Sequence, residues 1–308
     1  MNKLTKEAFA LMDEAERELL SGNVDEGLTN LTLGFQAVRA KYSPAEWSEF
    51  AKKDWLSHSF VPIIHQDPFT KHSFDKPRNY AGDAELIDYM YGLRQPAPET
   101  SELGRRIFDW GGKQPTTESV RERRKIIAAM IDEMAADASE LRILSIACGH
   151  LREAAISNAV TSGKVAEYFA LDQDTLSLEV VKNELAKFNV NPVHASVKSL
   201  FTNGKQFHDL DFVYAAGLFD YLPQKVANRL TSKMFQMLKP NGRLLVANFA
   251  PCLPDIAYGE TFMQWDLIYR TETEVADFAC EIPKDAIADS RMFWDKQKNV
   301  IYLEIVKK

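Results

Sequence analysis

The sequence is poor in cysteine, lacks any long apolar run and carries no excess of positive charge. Its three cysteines, Cys148, Cys252 and Cys280, lie far apart with no CxxC pair. Such spacing predicts neither a disulfide framework nor a metal site, and it suits a reducing compartment. No apolar stretch is long enough to cross a membrane, and the opening residues MNKLTKEAFALMDEAEREL are charged throughout. A membrane span and a secretory signal are therefore not expected, and the expected location is cytoplasmic. The net charge of -7 argues against nucleic acid as a partner, because phosphate binding needs a basic face. Arg121-Glu122-Arg123-Arg124-Lys125 accordingly reads as a solvated helix face. With 308 residues, 45% of them hydrophobic and 26% charged, the chain can bury a full core in one large domain or one and a half.

The stretch from Leu141 to Asp174 organises the remainder. Leu141, Ile143, Leu144 and Ile146 form the apolar run of a strand buried on both faces. The run stops at Ala147-Cys148-Gly149, where small residues let backbone come close to a ligand. A helix is expected to begin near Leu151 and to aim its unpaired N–H groups into the same crevice. A second run, Val165 to Leu171, ends on Asp172, where a carboxylate can accept both hydroxyls of a ribose. These features predict the first half of a nucleoside-binding α/β domain. The dinucleotide fingerprint GxGxxG is missing, since Gly149 is the one glycine of the turn.

Later segments continue the alternation. Leu178, Val181, Leu185 and Phe188 mark a helix, followed by a third strand near Val190 to Val197 and a fourth over Leu210 to Ala216. A helix over Val226 to Leu238 leads to the tight turn Lys239-Pro240-Asn241-Gly242 and a fifth strand, Arg243 to Phe249. Arg291 to Trp294 and Val300 to Val306, joined by a polar turn, read as a closing antiparallel pair. The turn after the first strand resembles motif I of the class I S-adenosylmethionine-dependent methyltransferases, an acid followed by three glycines at alternate positions. Those places fall here on Ser145, Ala147, Gly149 and Leu151. DLDFVYAAGLFDYLP resembles their motif IV, and LKPNGRLLVANF resembles a helix, L-K-P-x-G, strand passage that recurs across the class. Taken alone, the first turn could also be an ordinary strand-to-helix turn of another doubly wound domain. The resemblance implies an α/β class I methyltransferase (Rossmann-like) fold: a seven-stranded, mostly parallel sheet over residues 137–308, with an N-terminal helical cap over 1–136.

In that cap, Leu4, Phe9, Leu11, Met12 and Leu19-Leu20 mark one helical stripe, and Leu28, Leu31, Phe35 and Val38 another. Ser43-Pro44 then opens a third helix as N-cap and first helical residue. These helices could pack on the catalytic domain or on a second subunit, as in a homodimer. From Phe60 the chain becomes dense in proline, aromatic and polar residues, and enters a clear helix only at Ala84. Asp67, Arg78, Tyr80 and Asp83, interleaved with Phe69, Phe74 and Tyr89, suit either a lid over a ligand or an irregular connector. The phrase DPFTKHSFDKPRNYAGD, with the later Ser-Ile-Ala-Cys-Gly-His-Leu-Arg-Glu turn, resembles a bacterial methyltransferase family that includes the makers of 3-hydroxypalmitic acid methyl ester. That family usually has Gly where Asn79 stands, and Asn tolerates a positive φ better than most residues.

The resemblance implies S-adenosyl-L-methionine as cofactor and a small-molecule or acyl acceptor in small-molecule biosynthesis. It places Asp172 on the ribose hydroxyls and Gln173 or Asp174 at the edge of the adenosine. Ser196 and Val197 would lie along adenine, Ser145, Ala147 and Gly149 in the turn, and Ala215 and Gly217 near the methionine end. Arg152 would pair with the methionine carboxylate or with Glu153. A carboxylate acceptor is already ionised and needs no base, and Arg78, Tyr80 and Arg270 would then orient it. A hydroxyl or amine acceptor would call on Tyr80, Asp83 or Asp220 as base, although Asp220 could equally cap the next helix. Tyr221 is a candidate acceptor contact, and Phe262, Trp265 and Tyr269, spaced to share one helical face, are candidates for an apolar acceptor wall or for core. His58, His65 and His72 are evenly spaced, but Pro62 and Pro68 interrupt any helix that would stack them as metal ligands. The expectation is carboxyl O-methylation of a 3-hydroxy fatty acid. Beside it stand O- or N-methylation of another natural product, a non-catalytic cofactor-binding protein and a dehydrogenase.

Overall fold

Residues with apolar side chains at helical spacing in the first hundred positions become helices, and the short apolar runs after Leu141 become strands. A computed structural model describes residues 1–137, 140–202 and 207–308. The chain divides into two units, Met1–Val120 with Cys252–Asp266, and Arg121–Pro251 with Leu267–Lys308. This division differs from the single boundary expected at 136/137, because a segment following the fifth strand returns to the helical unit.

In the helical unit, α1 (Lys3–Ser21), α2 (Val24–Lys41) and α3 (Pro44–Lys52) bury one face each. The α1 stripe is made of Leu4, Ala8, Met12, Ala15 and Leu19, whereas Leu20 is exposed. In α2 the buried set is Val24, Leu28, Leu31, Phe35 and Val38. Ser43 caps α3 in a reciprocal capping box with Glu46, and Pro44 stands in its first turn. Two helices, α4 (Val61–Ile64) and α5 (Pro68–Asp75), occupy the region that lacked clean periodicity, each with a proline in its first turn. They are followed by α6 (Ala84–Met90) and α7 (Glu102–Gly111). Asn79, between α5 and α6, has φ +69°, the conformation that favours glycine.

The returning segment carries the helix Ile256–Phe262, and Phe262 is the hub of this unit's core. Its ring lies 5.2 Å from Phe35, 5.2 Å from Trp55, 5.8 Å from Phe60 and 5.1 Å from Tyr258. Polar contacts hold the segment in register. Glu260 accepts from Arg39 Nε at 2.7 Å and Nη2 at 2.9 Å, and from Trp47 Nε1 at 2.7 Å. Tyr258 and Thr70 share a hydroxyl hydrogen bond of 2.8 Å, and Thr116 Oγ1 donates to Asp255 at 2.6 Å.

The second unit is a seven-stranded sheet: β1 (Leu141–Ile146), β2 (Val165–Asp172), β3 (Val190–His194), β4 (Leu210–Ala215), β5 (Leu238–Phe249), β6 (Ile287–Trp294) and β7 (Val300–Lys307). Their spatial order is β3-β2-β1-β4-β5-β7-β6. The first five strands are mutually parallel and β7 runs antiparallel to both of its neighbours, so the sheet is mostly parallel. Four residues, Lys239 to Gly242, are looped out between the pairs Leu210–Leu238 and Phe212–Arg243. Asn241 there has φ +62°, and a side chain on Gly242 would come within 2.7 Å of the Leu210 carbonyl oxygen. That is the physical content of the K-P-N-G turn. The helix α8 (Pro115–Asp137) carries the chain out of the first unit and into the second.

Phe262→Ala is expected to destabilise the protein by about 3–5 kcal/mol, the cost of emptying a buried aromatic site. Urea unfolding of the full chain measures this, and an unchanged midpoint would remove Phe262 from the core.

Candidate functional site

β1 and β4 are adjacent although not consecutive in sequence, so the strand order reverses between them. In open parallel sheets the crevice at such a reversal, outside the carboxyl ends of the strands, is where ligands bind. The turn leaving β1 has an unusual backbone. Ala147, Gly149 and Leu151 all have positive φ, at +54°, +54° and +50°. These are the three alternate places where motif I has glycine. The departure from glycine is therefore one of side chain and not of backbone, and each non-glycine residue held this way costs about 1–2 kcal/mol.

The helix expected near Leu151 does not form. A left-handed Leu151 cannot begin one, and the chain instead makes a 3-10 turn at Ala154–Ile156 and the single-turn α9 (Asn158–Thr161). Asp132 of α8 accepts from Ser157 Oγ at 2.6 Å and from the Asn158 and Ala159 N–H groups at 3.1 and 2.8 Å. The start of α9 is thus satisfied from within the protein.

Asp172, at the end of β2, closes the other side of the turn. Its Oδ2 accepts the Gly149 N–H at 2.8 Å and its Oδ1 the Asp174 N–H at 2.9 Å. The side chain is buried, which pushes its pKa up, while the same backbone N–H groups pull it down. Each oxygen retains acceptor capacity beyond these bonds. Gln173 is exposed beside it. Asp174 is the N-cap of α10 (Thr175–Leu185), accepting from Leu176 N–H at 3.0 Å and Ser177 Oγ at 2.7 Å. Ser196 and Val197 follow β3, half-buried, where Ala195 N–H donates to the Asp172 carbonyl at 3.0 Å. Ala215 ends β4 and is buried, and Gly217 follows it.

Beneath the turn lies a buried polar network that sequence reading missed. The Tyr214 hydroxyl donates to Glu153 at 2.5 Å and shares a hydrogen bond with the Tyr168 hydroxyl. Tyr168 stands on β2, and Tyr214 on β4 is the register partner of Ser145 on β1. Burial raises the pKa of Glu153 and lifts both tyrosines well above the usual range. The signal was present as tyrosines placed within otherwise apolar strand runs, whose hydroxyls need partners once buried. Arg152 pairs with Glu184 and reaches His150 Nδ1 at 3.5 Å.

Asp220 is buried after β4, and its Oδ1 accepts the Phe249 N–H at 2.7 Å. Burial drives its pKa to about 6, against the opposing pull of that N–H and of the Arg123 and Arg270 charges. It does not cap α11 (Gln224–Gln236), whose N-cap is Pro223. Arg270, expected to hold the acceptor, is 2% exposed and serves the fold. It donates to Gln224 Oε1 at 2.8 Å, Phe219 O at 2.8 Å, Asn248 Oδ1 at 2.6 Å and Leu222 O. Tyr221 is exposed and Tyr269 half-buried in the same unit.

The remaining candidates belong to the helical unit. Asp83 is fully buried, caps α6 through the Leu86 N–H at 2.8 Å, and meets His72 Nε2 with both oxygens at 2.9 Å. Arg78 pairs with Glu85 at 2.8 Å, Trp265 is buried, and Tyr80 is half-buried between α5 and α6. The three evenly spaced histidines have separate partners: His58 faces Asp13, His65 the Phe262 carbonyl and His72 Asp83. Among the described residues no cluster of metal-ligating side chains occurs, and no helix is long and apolar enough to cross a membrane.

No protein-family model and no curated protein matches the chain. Among solved structures, it is similar to a protein described as a possible exported protein from Bordetella parapertussis, with 14% identity, 99% of this chain and 97% of that chain covered, and a TM-score of 0.58. A provisionally named methyltransferase from Thermobifida fusca is 18% identical over 73% of this chain and 94% of that one, with a TM-score of 0.52. The magnesium protoporphyrin IX methyltransferase of Synechocystis, solved with bound S-adenosylmethionine, is 14% identical over 63% and 84%, with a TM-score of 0.44. The chain thus has a Rossmann-like α/β fold, shared with the Bordetella parapertussis and Thermobifida fusca proteins.

Two predictions follow from the strained turn and the buried acid. Ala147→Gly should raise stability by about 1 kcal/mol, because glycine adopts a positive φ without steric cost; a lowered melting temperature would contradict the strain. The folded protein holds the Asp220 proton up to about pH 6, whereas the unfolded chain releases it near 3.8. The native state therefore binds more protons across that interval, and stability falls as pH rises through it, by up to about 3 kcal/mol. Asp220→Asn should make the fall between pH 4 and pH 6.5 shallower in urea titrations, the remainder belonging to other buried acids such as Asp67, and an unaltered pH slope would contradict the assignment.

Proposed function

We propose that the chain is an S-adenosyl-L-methionine-dependent methyltransferase acting on a small molecule, and that its acceptor is the carboxyl group of a 3-hydroxy fatty acid. One observation carries the cofactor assignment: the left-handed backbone at 147, 149 and 151, tied to the Asp172 carboxylate at the point where the strand order reverses. A glycine-like path with an acid beside it leaves room for a nucleoside and supplies acceptors for its two ribose hydroxyls. The residues fit that ligand, since Asp172 keeps unused lone pairs and Ala147, Ala215 and Gly217 present little bulk. The fold similarity to the Thermobifida fusca protein agrees with this reading.

When bound, the cofactor supplies a methyl group already activated by its sulfonium centre. The protein's contribution is to bind, orient and exclude water. Asp172 would hold the ribose, Ser196 and Val197 would line the adenine, and Ala215 and Gly217 would leave space beyond it. The fatty-acid acceptor comes from the sequence resemblance, and a feature of the chain supports it. Both carboxylates that could serve as base, Asp83 and Asp220, are buried and hydrogen-bonded to backbone N–H groups. A carboxylate acceptor is ionised near neutral pH and needs neither.

Transfer of labelled methyl from S-adenosylmethionine into a small-molecule extract supplemented with 3-hydroxy fatty acids tests the reading. Label released as methanol by mild alkali is the expected result. Alkali-stable label would move the acceptor atom to nitrogen or ether oxygen. Tight binding of S-adenosylhomocysteine without transfer in any extract would replace the enzyme by a binding protein. Binding of a nicotinamide cofactor in its stead would overturn the proposal. Asp172→Ala should weaken S-adenosylhomocysteine by on the order of 1.5–3 kcal/mol, the worth of charge-assisted hydrogen bonds. Calorimetry reads this directly, and unchanged affinity would take Asp172 out of the site.

A further inference from the structure

The five-residue basic run at 121–125 does not behave as a solvated face. Lys125 is exposed, but Arg123 is 6% exposed, on the stretch of α8 that belongs to the sheet unit. Its guanidinium lies against Gly217, with Nη1 and Nη2 each 3.4 Å from the place a side chain on that glycine would occupy, and Cζ at 3.7 Å. The two terminal nitrogens thus lead the approach, the edge through which arginine binds a carboxylate in bidentate fashion. Gly217 follows β4, across the strand-order reversal from Gly149 and Asp172. A nucleoside held at Asp172, on the β2 side, directs the rest of the ligand across β1 toward β4.

We propose that Arg123 receives the carboxylate of the cofactor's amino-acid end, a role that the sequence resemblance had offered to Arg152. The inference rests on the proposed cofactor. The electrostatics around Arg123 suit it. Its charge acts on both Glu153 and Asp220, two buried acids, while Arg124 also faces Glu153 and Arg270 also faces Asp220. The amino-acid end of the ligand is itself a zwitterion, and mixed charges at close quarters match it better than a patch of one sign. Arg152 directs a guanidinium nitrogen to Glu184. A side chain at 217 would meet the guanidinium at van der Waals distance, so the glycine leaves the space beside it open.

The test compares two ligands that share adenosine and differ in the amino-acid end. S-adenosylhomocysteine carries the carboxylate, and 5′-methylthioadenosine lacks it. Calorimetry on the full chain should show Arg123→Met weakening S-adenosylhomocysteine by about tenfold to a hundredfold, with methylthioadenosine held within about twofold. Arg123→Lys, which keeps the charge and loses the fork, should fall between the wild type and Arg123→Met for S-adenosylhomocysteine alone. Equal losses for both ligands would mark Arg123 as a structural residue and overturn the proposal, as would no loss for either. A selective loss in Arg152→Met with Arg123→Met silent would return the role to Arg152. If the wild-type protein binds neither ligand, the cofactor assignment itself falls, which is distinct from a wild type that binds both and a silent Arg123.

Discussion

The tie between Asp172 and the turn after β1 is the constraint on which the site depends. Two strands that end side by side need something to set where their loops go. Here one buried carboxylate accepts the Gly149 N–H from the first loop and the Asp174 N–H from the second. The first bond holds the turn at its left-handed middle residue, and the second sets the residue that caps α10. Strain at Ala147 and Leu151 persists because this bond and the packing of Leu151, which is 1% exposed, determine the path together. The same carboxylate is the group a ribose would meet. Under the proposed function, structural and recognition roles fall on one side chain without conflict, because a carboxylate has more lone pairs than the backbone asks of it.

Much of the sheet unit was legible in the sequence because its signals are local. Strands buried on both faces, such as β1 and β4, need uninterrupted apolar runs, and those runs were visible. The K-P-N-G turn was visible because Gly242 stands where no side chain fits. What could not be read depends on distant partners. The helix expected at Leu151 fails because of a backbone conformation that no glycine announces there, and because Asp132, from a helix earlier in the chain, satisfies the next helical start. Arg123 was read with its charged neighbours as solvent-facing, since composition cannot tell which arginine of a run turns inward. Arg270 was read as an acceptor contact for the same reason, whereas its hydrogen bonds go to the carbonyls of residues 219 and 222 and to the side chains of Gln224 and Asn248.

The acids of this protein show why burial and reactivity should be kept apart. Asp67, Glu153 and Asp220 all have pKa values raised chiefly by burial. Asp67 caps α5 through the Phe69 and Thr70 N–H groups, and Asp220 accepts from Phe249. Glu153 instead holds a tyrosine hydroxyl and sits among arginine charges next to the strained turn. Of these three acids, Glu153 is the one placed beside the turn after β1, so it is the neighbours and not the size of the shift that separate a cap from a group next to the crevice.

The return of Cys252–Asp266 to the helical unit has a consequence for how the protein is made. Helices α1 to α7 leave the ribosome first, yet the aromatic centre around which Phe35, Trp55 and Phe60 gather is Phe262, which is synthesised after five of the seven strands. N-terminal regions commonly fold while the remainder is still being translated. This one has to wait, with Arg39 and Trp47 lacking the Glu260 carboxylate that later joins them. The nascent helices therefore expose a vacant aromatic pocket for most of translation.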